Sequence, residues 1–181
     1  MKKIILPLAI ISAIWFSCSD EHAHDHEAEE QSLEALAYTL YTDKTELFVE
    51  FKPLVVGTES RFAAHFTELG ENFKAFTEGN ITLTVDVNGK TVSVTAAEPQ
   101  VPGIFRLQLT PQTAGIAKLT FNIKTKNFTD QIIIDSVKVY PDEKAALAEQ
   151  PDAKDDGDIR YLKEQAWKIE FANTPVKKQA F

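Results

Sequence analysis

The sequence predicts a mainly β fold, an antiparallel immunoglobulin-like β-sandwich followed by a short C-terminal amphipathic helix. Three observations carry that expectation. Apolar and polar residues alternate in short runs between residues 35 and 140, which is the period of a half-buried strand. Clusters of Gly, Pro, Asn and Asp separate the runs. No long helical pattern interrupts them, which argues against βαβ crossovers. With 44% hydrophobic and 25% charged residues in 181, the chain has the composition of a soluble globular domain. Its length suffices for a two-layer core without disulfides.

The runs follow in order. Ala35–Thr42 opens the series, and Asp43-Lys44 turns it. Leu47, Val49 and Phe51 then alternate with Glu46 and Glu50, leaving Phe48 on the outer face. After Val56-Gly57-Thr58, the residues Phe62, Ala64 and Phe66 alternate with Arg61, Ala63, His65 and Thr67. Ile81, Leu83, Val85 and Val87 run into Asn88-Gly89, the pair that a tight type I′ hairpin turn demands; Val92 and Val94 resume the pattern. Phe105, Leu107 and Leu109 form the next run, and Leu119, Phe121 and Ile123 the one after it. Gln131–Tyr140 is rich in Ile and Val on both faces, the pattern of a central or covered strand. That makes about eight strands.

The N-terminus reads as an export signal. Met1-Lys2-Lys3 is basic, Ile4 to Phe16 carries no charge, and Ser17-Cys18-Ser19-Asp20 follows. The apolar run is shorter than the roughly 20 residues that span a bilayer and has the length of a signal h-region. A small residue before the sole cysteine of the chain resembles a lipobox, which makes Cys18 the candidate lipidation site. Two or three acyl chains, at about 0.8 kcal/mol per buried methylene, would hold the protein on a membrane. The expected location is the cell envelope, facing the periplasm and anchored by lipid. A single cysteine also excludes an internal disulfide framework.

Residues 18–34 then form a tail rich in histidine and acid. His22, His24 and His26, three of the four histidines, alternate there with Asp25, Glu27 and other acids. Without large apolar residues between positions 20 and 30, that stretch cannot bury enough surface to fold alone. Neutral imidazoles and carboxylates so spaced can chelate Zn²⁺, Cu²⁺, Ni²⁺ or Co²⁺. Capture should weaken as pH falls through about 6.5. The alternative is a solvated acidic spacer between lipid and domain.

The domain organisation expected is therefore 1–17 signal, 18–34 tail, 35–141 sandwich, 142–157 linker and 158–181 a helix with the start of a following region. Within the linker, Asp142 to Leu147 could form one or two helical turns. Ile159, Leu162, Ala166 and Ile169 form a helical stripe with Asp158 as N-cap, and Trp167 on that helix should pack on something. A formal charge of −8 argues against nucleic acid as a partner. No phosphate loop, nucleophile elbow or paired Cys or His-Glu zinc motif is present, so no catalysis and no required cofactor are expected. His65 reads as a surface histidine on the polar face of its strand, with a second metal ligand as the alternative. The aromatic residues, Tyr38 and Tyr41 among them, read as core and rim.

Particular strings resemble one family. Tyr41–Gly57, Ser60–Thr67, Pro102–Arg106 and Leu162–Ile169 look like the N-terminal domain of periplasmic adaptor subunits, or membrane fusion proteins, of Bacteroidota RND-type efflux pumps. A lipoprotein signal and a His-rich tail precede that domain in many members. The resemblance covers nearly all of the chain from position 37. It implies an adaptor between an inner-membrane pump and an outer-membrane channel, often for heavy-metal cations. Members continue with a β-barrel, a lipoyl-like domain and a helical hairpin, whereas this sequence stops at Phe181. The chain thus reads as a fragment, a truncated reading frame or a free-standing first domain. Two other readings remain: an independent periplasmic metal-binding lipoprotein acting as buffer or chaperone, and a surface lipoprotein with no metal role.

Overall fold

The computed structural model describes residues 32–70, 73–150 and Trp167. Two sheets face each other. The first holds β1 (Leu36–Tyr41), β2 (Thr45–Phe51) and β4 (Ser60–Glu68) in that order, with β8 (Ile104–Leu109) on the far edge of β4 and the short β5 (Lys74–Ala75) beside its end. The second holds β3 (Leu54–Val55), β10 (Thr129–Tyr140), β9 (Gly115–Lys124), β6 (Asn80–Val87) and β7 (Lys90–Ala96) in spatial order. Every pair is antiparallel except β3 with β10, which is parallel. In immunoglobulin lettering, β4 and β8 take the B and E places, while β6, β9 and β10 take C, F and G. The chain changes sheets between β2 and β3 at Lys52-Pro53, where proline has no N–H to continue a ladder. This is the expected sandwich.

The alternating side chains meet in the middle. Leu47, Val49, Phe62, Phe66, Phe105 and Leu107 of the first sheet are buried against Ile81, Leu83, Leu119, Phe121, Ile132 and Val139 of the second. Phe66 lies at the centre, its ring 5.5 Å from Phe105, 5.8 Å from Phe76 and 6.3 Å from Phe121. The β6–β7 hairpin turns on Asn88 (φ 53°) and Gly89 (φ 82°), the left-handed pair of a type I′ turn, and Asp86 Oδ1 accepts from Gly89 N at 2.7 Å. At the other end Thr42 Oγ1 donates to Asp130 Oδ2 at 2.5 Å, joining the β1–β2 turn to the start of β10 across the two sheets.

The isoleucine-rich last strand has a local explanation. The register of β10 on β9 shifts between Ile134 and Val137, and Ser136 takes φ 63°. This bulge shifts the alternation by one residue. Ile132 and Ile134 point inward before it, Val137 and Val139 after it, while Ile133 is left partly exposed.

After β10 comes α1 (Glu143–Glu149), in the stretch read as linker. Asp142 caps it by accepting from Ala145 N at 2.8 Å. Its Ala146 packs with Leu33 and Val55 in a second small apolar cluster flanked by Tyr140 and Leu147. Gln150, just beyond, ties the chain's entry to the sandwich to its exit: Glu34 N donates to its Oε1 at 2.8 Å, and its Nε2 donates to Ser32 O at 3.4 Å. Entry and exit of the domain therefore share one end of the sandwich. The helical stripe of residues 158–169, apart from Trp167, lies outside the described residues. Among the described residues no helix is long and apolar enough to cross a membrane.

Candidate functional site

The residues singled out for lipidation and metal capture, Cys18, His22, His24 and His26, lie outside the described residues. The site the structure does build is on the outer face of the first sheet, where Trp167 is seated. Alternation along β4 sends Arg61, Ala63, His65 and Thr67 outward, and strand pairing places Phe48 opposite His65 and Glu46 opposite Thr67. An outer face of this kind is normally solvated. Its upper half is not.

His65 is only 8% exposed, so the expectation of a surface histidine is corrected. The alternation put its side chain on the right face. What the pattern lacked was a residue far along the chain that covers that face. The Trp167 ring lies 6.1 Å from the imidazole, tilted by 32°, and Phe48 meets it edge-on at 5.4 Å from the other side. Trp167 Nε1 donates to Thr67 Oγ1 at 2.8 Å, which satisfies the one polar atom of the indole in a half-buried position. The tryptophan expected to pack on something packs here.

Gly103 makes room for the ring. A Cβ built on it would stand 2.3 Å from a Trp167 ring carbon, and its φ of +85° is one that side-chain-bearing residues rarely adopt. The backbone of Gly103 cannot yield easily. Its N donates to Phe76 O at 2.6 Å, and its O accepts from Phe66 N at 2.8 Å. Glycine is needed at this point for both conformation and space.

Beside Thr67 the socket is polar, with the exposed Tyr41 at its rim. Thr45, Glu46 and Thr67 are almost wholly buried. Tyr41 Oη donates to Glu46 Oε1 at 2.9 Å across the β1–β2 pair. Partial burial, then the hydrogen bond to Glu46 and the nearby carboxylate charge, raises the Tyr41 phenol above its ordinary value of 10.0. This cluster was not legible in the sequence, because Glu46 and Thr67 lie on an outer face, where a glutamate and a threonine look like solvent-facing residues.

Among the described residues no group of three or more His, Cys, Asp or Glu side chains is placed to hold a metal ion. The socket grips one aromatic side chain by shape, one hydrogen bond and ring contacts.

No family model matches the chain, and no curated protein matches it. Among solved structures, it is similar to the CARDB domain of a Pyrococcus furiosus protein solved in complex with di-metal ions. The identity is 19%, over 57% of this chain and all of that one. The TM-score is 0.30, too loose a superposition to bear on function.

Proposed function

We propose that this chain is the envelope-facing first domain of an RND-type periplasmic adaptor, tethered through Cys18 and loaded with divalent cations by His22, His24 and His26. One observation supports the reading above the others. The four strings that carry the family resemblance are far apart in sequence, yet each sends a residue to the same socket. Phe48 comes from Tyr41–Gly57, His65 and Thr67 from Ser60–Thr67, Gly103 from Pro102–Arg106 and Trp167 from Leu162–Ile169. A junction used by a whole family would require its particular residues together in this way. The sandwich then serves as a docking body, and the socket fixes where the chain leaves it.

The test has two arms. Deleting the gene should lower tolerance to at least one of zinc, copper, cobalt and nickel, and a tagged chain cross-linked in intact envelopes should bring down an RND pump subunit. Wild-type tolerance together with no pump in the cross-linked material would refute the adaptor role. Replacing His22, His24 and His26 by Gln should lower tolerance without moving the thermal midpoint. Unchanged tolerance at every metal would remove the tail from the mechanism. A soluble, unlabelled protein from cells fed with palmitate would count against the anchor at Cys18.

A further inference from the structure

An open sheet edge templates the addition of another strand unless something blunts it. In this sandwich the edges are blunted on all sides but one. β3 is two residues long and follows Pro53, and the part of β10 that it leaves uncovered carries Asp130, Asp135, Lys138 and the bulge at Ser136. On the opposite side β7 and β8 lie against each other, with Lys90 and Arg106 among their residues. β1 has none of these devices. It pairs with β2 residue for residue, from Leu36 opposite Phe51 to Tyr41 opposite Glu46, without a bulge. Among the described residues no strand covers its other edge. Its six residues, Leu36-Ala37-Tyr38-Thr39-Leu40-Tyr41, include no charge, proline or glycine, in a chain that is 25% charged.

The side chains of β1 specify what fits there. Leu36, Tyr38 and Leu40 pack against the main core yet are only half-buried, with Tyr38 stacked on Phe51 at 5.6 Å and 12°. The core thus runs out to this edge and ends in an apolar row that is half covered. Main-chain groups awaiting a ladder beside such a row call for a strand whose alternate residues are apolar. The same six residues of a second copy meet that description. Residues opposite each other in an antiparallel pair share a face, so a two-fold axis must pass through one residue. At Tyr38 the axis sets Leu36 opposite a copy's Leu40 and Ala37 opposite its Thr39. At Thr39 it sets Tyr38 opposite Leu40 and Ala37 opposite Tyr41. In either register no charge meets a charge and the apolar row meets an apolar row. Such a contact is isologous and closes at two copies.

We propose that the free edge of β1 docks the same edge of a second copy of this chain, so that two first sheets join into one across a two-fold axis. The proposal is independent of the adaptor reading. It is tested by sedimentation of the full chain in one mild detergent, over a range of concentrations. A six-residue ladder is smaller than a standard interface of about 1,600 Å², so the dimer should form in the micromolar to millimolar range. Ala37 and Thr39 are exposed, and Ala37→Lys with Thr39→Lys sets lysine opposite lysine in both registers. That variant should dimerise about tenfold more weakly at low salt. Mixing it with the Ala37→Glu, Thr39→Glu variant should restore a dimer of the two. In the unaltered chain, amides of residues 36–41 should exchange more slowly with solvent as concentration rises. If the lysine variant loses its Trp167 emission, this exchange measurement decides. A monomer at every concentration up to about 1 mM, or equal dimerisation of the lysine variant, would overturn the proposal. Slow exchange at 36–41 that ignores concentration would put the chain's own residues on the edge and overturn it equally.

Discussion

Gly103→Ala tests whether the Trp167 socket is a fitted contact. The new methyl faces two demands. Its backbone must hold φ +85°, which costs a non-glycine residue about 1–2 kcal/mol. Its Cβ would also lie 2.3–2.9 Å from three atoms of the indole, so either ring or backbone must move. The backbone of the turn is held by two hydrogen bonds of 2.6 and 2.8 Å, the ring by one of 2.8 Å and its flanking contacts. The ring therefore moves. Expelling it forfeits the Thr67 bond, about 1 kcal/mol, and the apolar burial of a half-covered indole, roughly another 1 kcal/mol. Gly103→Ala should thus cost about 3–4 kcal/mol in all, and Trp167→Ala about 2 kcal/mol, from the same principles. The double variant should cost no more than Gly103→Ala alone, because the ring has already left. The assay is urea unfolding of all four proteins in a Trp15→Phe background, where Trp167 is the only tryptophan and its emission also reports expulsion directly. Strict additivity of the two costs, or an unshifted Trp167 emission in Gly103→Ala, would refute the fitted socket.

Three further outcomes follow from the described geometry. Ser136→Gly should raise stability by about 0.5 kcal/mol, the relief at φ 63° less the added freedom of the unfolded chain; a lower urea midpoint would show that the serine side chain is needed in the bulge. Phe66→Ala should cost about 4 kcal/mol, because its ring fills the centre of the core and leaves a cavity that its neighbours cannot close. Tyr41 titrates above its ordinary value of 10.0, so the folded state holds the phenolic proton more tightly than the unfolded one. Its contribution is complete below pH 10 and is lost as pH rises past it; Tyr41→Phe should flatten that part of the stability curve, and an unchanged slope would place the titration elsewhere.

The sandwich was legible in the sequence because its inward residues alternate with few exceptions, and because Asn88-Gly89 names its own turn type. The two shortest strands were not. Leu54–Val55 and Lys74–Ala75 are two residues each, too short to carry a period. The β10 bulge was visible only as an apparent excess of isoleucine and valine, since one extra residue makes both faces look apolar when a single phase is assumed. The socket was half legible. Trp167 was expected to pack, and Phe48 and His65 were placed on the outer face, but nothing local says that outward residues of β4 meet a residue a hundred positions later. Burial of a polar outer face is a long-range fact that alternation cannot report.

The stitched end of the domain bears on any protein that is tethered before it and continues after it. Chain entry at Ser32–Glu34 and exit at Gln150 are held together by two hydrogen bonds and by the Leu33, Val55 and Ala146 cluster. A pull between tether and exit would therefore load this small cluster first and leave the strands of the sandwich in parallel with the load path. Two hydrogen bonds and three buried side chains are a weak link compared with the main core. Were the exit held only there, the body of the sandwich would swing about Gln150. Trp167 adds a second point of attachment at the opposite end of β4 from the stitched end, and two separated points fix a direction where one cannot. On this argument Gln150→Ala should leave the sandwich folded and its Trp167 emission unchanged, while combining it with Trp167→Ala removes both attachments. Limited proteolysis after residue 150 should then accelerate far more in the double variant than in either single one. Equal acceleration by Gln150→Ala alone would mean that the tryptophan holds nothing in place.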